Sequence, residues 1–302
     1  MIRASHLVGV TRMPHSNYSQ SEVDGLISDL QQKIYKLDDG LTALQKQIEE
    51  VKTIMYSMHN QVDAVTPLTV HEGNLYLDKD GMQVSHLDIK GKVIFKANNC
   101  VLNHCLVRGD GESEQLVEAF RPGTSGNHVH NSTLKPDKPI PALCGIKGWA
   151  SVTNTTIEGC EDGVQLWGDD LIIKNCLIQD LRWYESTRYH KDGSHSDGIQ
   201  LFGGSNIQIE NVVIVNNPKS NSAIMVSQGQ KAIDGLSITD CTFSNESEER
   251  VPAMINLSDA GKGTPMQDVV ISNNKHEGEY GYKVLSSKQT QPNVMEIDNS
   301  WQ

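Results

Sequence analysis

Positive charge is scarce in this sequence. Against 38 Asp and Glu stand only 26 Lys and Arg, giving a formal charge of −12 at pH 7 and a pI near 5.3. An acidic surface repels phosphate backbones and anionic lipid, which excludes nucleic acid and membrane surfaces as expected partners. Long apolar runs are also missing, so no segment reaches the roughly 20 residues that a membrane-spanning helix needs. The opening residues, Met1 to Val10, lack the apolar core of an export signal. Assembly in the cytoplasm where the chain is made is the corresponding expectation. Cysteine appears six times, at 100, 105, 144, 160, 176 and 241, without a CxxC pair. Buried, reduced thiols acting as small apolar side chains fit this spacing, and disulfides do not fit a cytoplasmic origin.

What the sequence does contain is a motif written twice. Asp162-Gly163-Val164-Gln165-Leu166-Trp167-Gly168 returns as Asp197-Gly198-Ile199-Gln200-Leu201-Phe202-Gly203. A near-identical heptapeptide at a fixed offset is the mark of stacked structural repeats. Each copy is followed by a second element, Leu171-x-Ile173-x-Asn175 and then Ile207-x-Ile209-x-Asn211, which continues through Ile238-x-Asp240, Ile271-x-Asn273 and Ile297-x-Asn299. Upstream, Val152-x-Asn154 and Val101-x-Asn103 fit the same frame. The variable steps between anchors suit coils of three short strands joined by loops of differing length. Alternating β-branched residues with Gly and Asn at the corners agree. Residues 67–302 are therefore expected to form an all-β right-handed parallel β-helix of about seven or eight coils. Asn103, Asn154, Asn175, Asn211 and Asn273 are expected to form a corner ladder, since Asn tolerates left-handed backbone and can bond its neighbour in the next coil.

Residues 21–66 carry a different period. Ile27, Ile34, Leu41, Ile48, Met55 and Val62 fall at position a of a heptad, and Leu30, Leu37, Leu44, Val51, Met58 and Val65 at position d. Spacing of four and three sustained in this way predicts an N-terminal α-helical coiled coil, closed by Pro67. At about 1.5 Å per residue the stalk would span roughly 60 to 65 Å. Ile at a with Leu at d favours two strands. Gln31, Gln45, Gln47 and Gln61 at the flanking positions, with apolar Leu26 and Ile54, widen the stripe and favour three. The expectation is a homotrimer.

A coiled coil ahead of a solenoid resembles the trimeric tail spikes, fibres and minor tail proteins of tailed bacteriophages. The runs Asp180 to Trp183, His195 to Asn206 and Val93 to Cys100 resemble the pectate-lyase-like superfamily of right-handed β-helices. This resemblance implies a virion (tail) protein with residues 1–20 as virion anchor, bound to other tail or baseplate proteins. The same resemblance implies a solenoid that meets host cell-surface polysaccharide, with no cofactor. Of the three function classes it leaves, a virion spike that binds host-surface glycan without cleaving it is the expectation, with a glycan depolymerase (hydrolase or lyase) and a head fibre or decoration protein as alternatives.

Chemistry, if present, is expected around the repeated heptapeptide. Asp162 and Asp197 hold the same place in adjacent coils, so their backbones should lie about 4.8 Å apart. Two such carboxylates suit an acid and a base or nucleophile, as in glycoside hydrolysis. Equally, an Asp before Gly at a corner can be a turn former. His195 could shuttle a proton. Trp167, Trp183, Tyr184 and Phe202 could offer flat faces to sugar, with Arg182 and Gln200 as polar partners, or Trp167 and Phe202 could stack along the coil. Glu161, Asp192 and Glu210 read as solvated. His128 and His130 share a strand face without a third ligand at suitable spacing, so no metal site is expected. The superfamily's lyases use a basic residue, for which Arg182 and Arg188 are the nearby candidates.

Overall fold

The computed structural model describes residues 25, 27–37 and 67–300, except 218, 246–248, 259–264 and 287–293. The chain divides into two compact units, Met1–Val65 and Thr66–Gln302. In the first, residues 27–37 are helical, and Ile27, Leu30, Ile34 and Leu37 are 48 to 73% exposed along it. The rest of the predicted stalk and the predicted anchor lie outside the described residues. Among the described residues no helix is long and apolar enough to cross a membrane.

The second unit is a solenoid of three parallel nine-stranded sheets. The first sheet begins with Thr69–Glu72, the second with Leu75–Leu77 and the third with Gln83–Ser85, and each coil adds one strand to each. Nine coils stand where seven or eight were expected. The extra coil lies at the start of the solenoid, where the corner residues His86 and His104 follow one another after only 18 residues, the shortest step along the corner column.

A column of one residue per coil fills the interior from each sheet. In the first sheet it runs Ile89, Val107, Leu134, Ile157, Ile178, Ile214, Phe243, all fully buried. In the second it includes Val117, Ile146, Val164, Ile199, Ile224 and Ile255. Each such side chain contributes roughly 1.5 to 3 kcal/mol by leaving water. The alternation legible in the sequence is thus an inward residue at every second position, one in the short strands of the first sheet and two in strands of the second such as Val164 and Leu166, repeated at strand spacing.

The corner from the third to the first sheet is the fixed point of every coil. His86, His104, Asn131, Asn154, Asn175, Asn211, Asp240, Asn273 and Asp298 occupy it, all with φ between 46° and 59°. A side-chain amide tolerates this left-handed backbone better than most residues. The amides also bond vertically: Asn154 donates to Asn131 and Asn175 to Asn154 at 3.0 Å, and Asn211 to Asn175 at 2.8 Å. Two of the expected anchors were one residue out of frame. The corner is His104 rather than Asn103, and Asp298 rather than Asn299, because Val129 pairs with Leu102 and Glu296 with Ile271. Asn103 still joins the ladder, accepting from Asn131 at 3.2 Å.

Two residues after the corner-preceding strand position stands a second column of small donors. Cys105, Ser132, Thr155, Cys176 and Cys241 each donate back to a carbonyl two residues earlier, at 2.7 to 3.3 Å. All six cysteines are buried and free. Burial raises the Cys176 and Cys241 thiols to about 12.

Candidate functional site

The repeated heptapeptide forms the strands Asp162–Leu166 and Asp197–Leu201 in the second sheet. Its register extends to both neighbours. Cys144 pairs with Asp162, and Asp197 with Ser222. The residue that follows is Gly145, Gly163, Gly198 or Ala223. A Cβ at Gly163 would lie 2.3 Å from the Gly198 carbonyl oxygen and 2.6 Å from Ile178 Cγ2. At Gly198 it would meet Ile214 Cγ2 at 2.5 Å. At Gly163 and Gly198 the strand start closes onto the isoleucine column of the first sheet and leaves no room for a Cβ, though the next coil carries Ala223, and the preceding aspartates line the groove.

Both aspartates are deeply buried, Asp162 at 8% and Asp197 at 1% exposure. Asp162 Oδ1 accepts the Asp197 backbone N–H at 2.8 Å, and its Oδ2 accepts the Gln165 amide at 2.6 Å. Asp197 Oδ1 accepts from Asn221 at 3.1 Å and from the Ser222 hydroxyl. Asp197 Oδ2 is buried without a hydrogen-bond partner. Burial raises Asp162 to about 7 despite those donors. Burial, and then the charge of Asp162, push Asp197 well above the usual carboxylate range. Like charges this close do not both ionise readily, so the pair retains a proton near neutral pH.

Above the pair lies a groove of about 150 Å³, whose lining includes Lys147, Glu161, Gln165, His190 and Gln200 besides the two aspartates. Asp162, Asp197, His195 and Gln200 are thus brought together at one groove. Trp167, Trp183, Tyr184 and Arg182 are not among the residues that line it. Trp167 instead stands in an aromatic ladder with Phe120, Trp149 and Phe202, ring centroids 5.7 to 6.1 Å apart. Trp183 lies under Lys219 Nζ at 4.0 Å and against Gly193. Tyr184 ties the loop through backbone bonds to Ser194, and Arg182 bonds Asp180 at 2.8 Å. Arg188 bonds Glu114 at 2.5 Å. Neither arginine stands at the carboxylates as a base.

Glu161, read as solvated, is buried and accepts the Ala142 N–H at 2.6 Å. Its place directly before Asp162, in the strand-start turn, was the available signal. His195 is 48% exposed, stacks on His190 at 3.9 Å, and lies 3.7 Å from Asp192. His190 went unassigned in the sequence, and Asp192 was read only as solvated, because the loop that folds them onto His195 has no periodic pattern. His128 and His130 both contact Thr153 Oγ1, at 2.9 and 2.5 Å. Burial, and then the charge of His130, lower His128 to about 4.

Nine coils of three parallel strands, with two carboxyls buried under a lateral groove, define a parallel β-helix carrying a polar site on its second sheet. Residues 145–296 match the right handed beta helix region family, and the chain belongs to it. Solved structures with a similar solenoid include the catalytic domain of a GH87 alpha-1,3-glucanase in complex with nigerose, at 12% identity and a TM-score of 0.44, over 76% of this chain and 56% of that one. A variant of such a domain in complex with tetrasaccharides matches at 10% identity and a TM-score of 0.31, over 78% and 64%. The chain thus spans somewhat over half the length of these structures. No curated protein matches the chain.

Proposed function

We propose that the chain binds a polysaccharide in the Asp162/Asp197 groove and hydrolyses it. The observation that carries this reading is Asp197 Oδ2, buried, unpartnered and part of a carboxyl at a groove lined by amides, carboxylates and imidazoles. A protonated carboxyl there has a donor to offer, while its other oxygen is held by Asn221 and Ser222. Asp162, fixed by the Asp197 N–H and Gln165, is the anionic partner. In the reaction, the Asp197 proton passes to the glycosidic oxygen as its bond to the anomeric carbon breaks. Asp162 attacks that carbon, or takes a proton from the attacking water. Water supplies the hydroxyl and proton that complete the two products.

The setting is that of a bacteriophage virion, as a tail spike or minor tail protein assembled in the host cytoplasm. Residues 1–20 would anchor it to other tail or baseplate proteins, and residues 21–66 would trimerise it. The exposed Ile27, Leu30, Ile34 and Leu37 support the stalk, because an apolar stripe of that kind calls for a partner helix. A passive glycan-binding spike or head fibre is the second reading. It is favoured by the near-complete burial of Asp197, whose bonds also lock one coil to the next.

The test is incubation of the purified chain with bacterial capsular and O-chain polysaccharides, followed by measurement of reducing ends. Cleavage that is lost in Asp197→Asn at unchanged melting temperature supports hydrolysis. Binding without cleavage leaves the passive reading, and cleavage that survives in Asp197→Asn overturns the assignment of the pair.

A further inference from the structure

The loop between Gln179 and Asp197 brings three ligand-type side chains together. The ligand atoms of His190, Asp192 and His195 all lie within 4.8 Å of one another. The two imidazoles stack at 3.9 Å with 20° between their planes, and Asp192 Oδ1 stands 3.7 Å from His195 Nε2. Neither imidazole is committed to the core: His195 is exposed, His190 half-buried.

The turn that makes this cluster is fixed independently of it. Thr187, 5% exposed, accepts the N–H groups of Tyr189 and His190 on its hydroxyl at 3.2 and 3.0 Å, and its own N–H bonds the His190 carbonyl at 2.7 Å. Ser194 closes the loop onto Tyr184 with a reciprocal pair at 2.9 Å. Gly193, at φ 113°, lies against the Trp183 ring, where a Cβ would stand 2.7 Å from it. The backbone is thus set before any ion arrives.

We propose that His190, Asp192 and His195 form a site for a divalent transition metal of the zinc class at the mouth of the groove. Two imidazoles and one carboxylate are ligands of borderline metals, whereas calcium and magnesium require an oxygen cage that this loop does not offer. Zinc–ligand bonds of about 2.0 to 2.2 Å need the three atoms to close to roughly 3.3 Å of one another. Rotation of the exposed Asp192 and His195 side chains toward the half-buried His190 provides that approach without moving the turn. Three protein ligands leave a fourth position open, and since His190 and His195 line the groove, that position faces whatever the groove holds. The site would cross-brace the loop and present a bound water or a ligand hydroxyl beside the carboxyl pair. It does not depend on whether the groove cleaves its ligand.

The experiment is titration of the untagged, chelator-treated full chain with Zn²⁺, and with Co²⁺ read by its visible spectrum. One ion per chain is expected, with a tetrahedral or five-coordinate cobalt spectrum lacking a thiolate charge-transfer band. The His190→Ala/His195→Ala double variant should lose the site. Asp192→Asn, at a side chain 79% exposed and therefore unable to unfold the solenoid, should weaken binding tenfold or more. His128→Ala should leave it intact. Absence of stoichiometric binding, a thiolate band, or affinity unchanged in Asp192→Asn together with the double variant would overturn the proposal.

Discussion

Asp197 donates its backbone N–H to Asp162 Oδ1 at 2.8 Å across one coil step. The register of the solenoid and the pairing of its two buried carboxyls are therefore one structural fact. Asp197→Asn keeps that N–H and replaces a raised carboxyl by a neutral amide. It should lower any polysaccharide hydrolysis by about 10² to 10⁴-fold, the range of a lost general acid, while leaving the melting temperature at pH 8 equal or higher. A variant that melts well below wild type would show that the carboxyl is structural.

Asp162 gives the chain a pH-dependent stability of definite sign. Burial raises its folded-state value to about 7, whereas an unfolded Asp titrates near 4. Its contribution is fully present below about pH 4 and is lost as pH rises through about 7. Denaturant unfolding at pH 5 and pH 8 should show wild type losing about 1 to 3 kcal/mol more than Asp162→Asn over this interval, since each shifted unit is worth about 1.4 kcal/mol and the pair shares the effect. Equal slopes in the two proteins would refute this.

Gly198→Ala should cost about 1 to 3 kcal/mol by overpacking, because its Cβ would enter Ile214 Cγ2 at 2.5 Å. Ile214→Ala, which removes Cγ2, should cost less in the Gly198→Ala chain than in wild type, because the clash goes with the methyl. Unfolding midpoints of the single and double variants decide the matter, and additive losses would count against the contact.

Asn175 separates backbone strain from ladder bonding. Asn175→Ala loses both the φ of 54° tolerated by Asn and two vertical bonds, to Asn154 and from Asn211. Asn175→Gly restores the backbone alone. We expect losses of about 2 to 3 kcal/mol for Ala and about 1 to 2 for Gly, from one or two net hydrogen bonds. Should Gly match wild type, the amide bonds contribute nothing measurable.

The solenoid was legible because its interior residues recur at the same place in every coil, and Ile209, Ile238 and Ile271 with their corner residues align directly. The first coils were not. Their corners are His86 and His104, which stack on one another at 5.2 Å and carry no Asn signature. At the site, Asp162, Asp197 and Gln200 could be placed from the heptapeptide because register is periodic. Trp183, Tyr184 and Arg182 could not, since side-chain direction within the Leu181–Ser196 loop is set by Thr187 and Ser194 bonding rather than by any period.

The corner occupied by Asn131, Asn154 and Asn175 never spends more than two residues between its strands, whereas the corner feeding the second sheet ranges from two residues, as between Glu72 and Leu75, to the whole segment 180–196. Length variation is thus segregated from register. A foreign segment spliced between Gln179 and Asp197 would alter what the groove meets without disturbing the frame that aligns the aspartates, so ligand preference and scaffold can diversify separately.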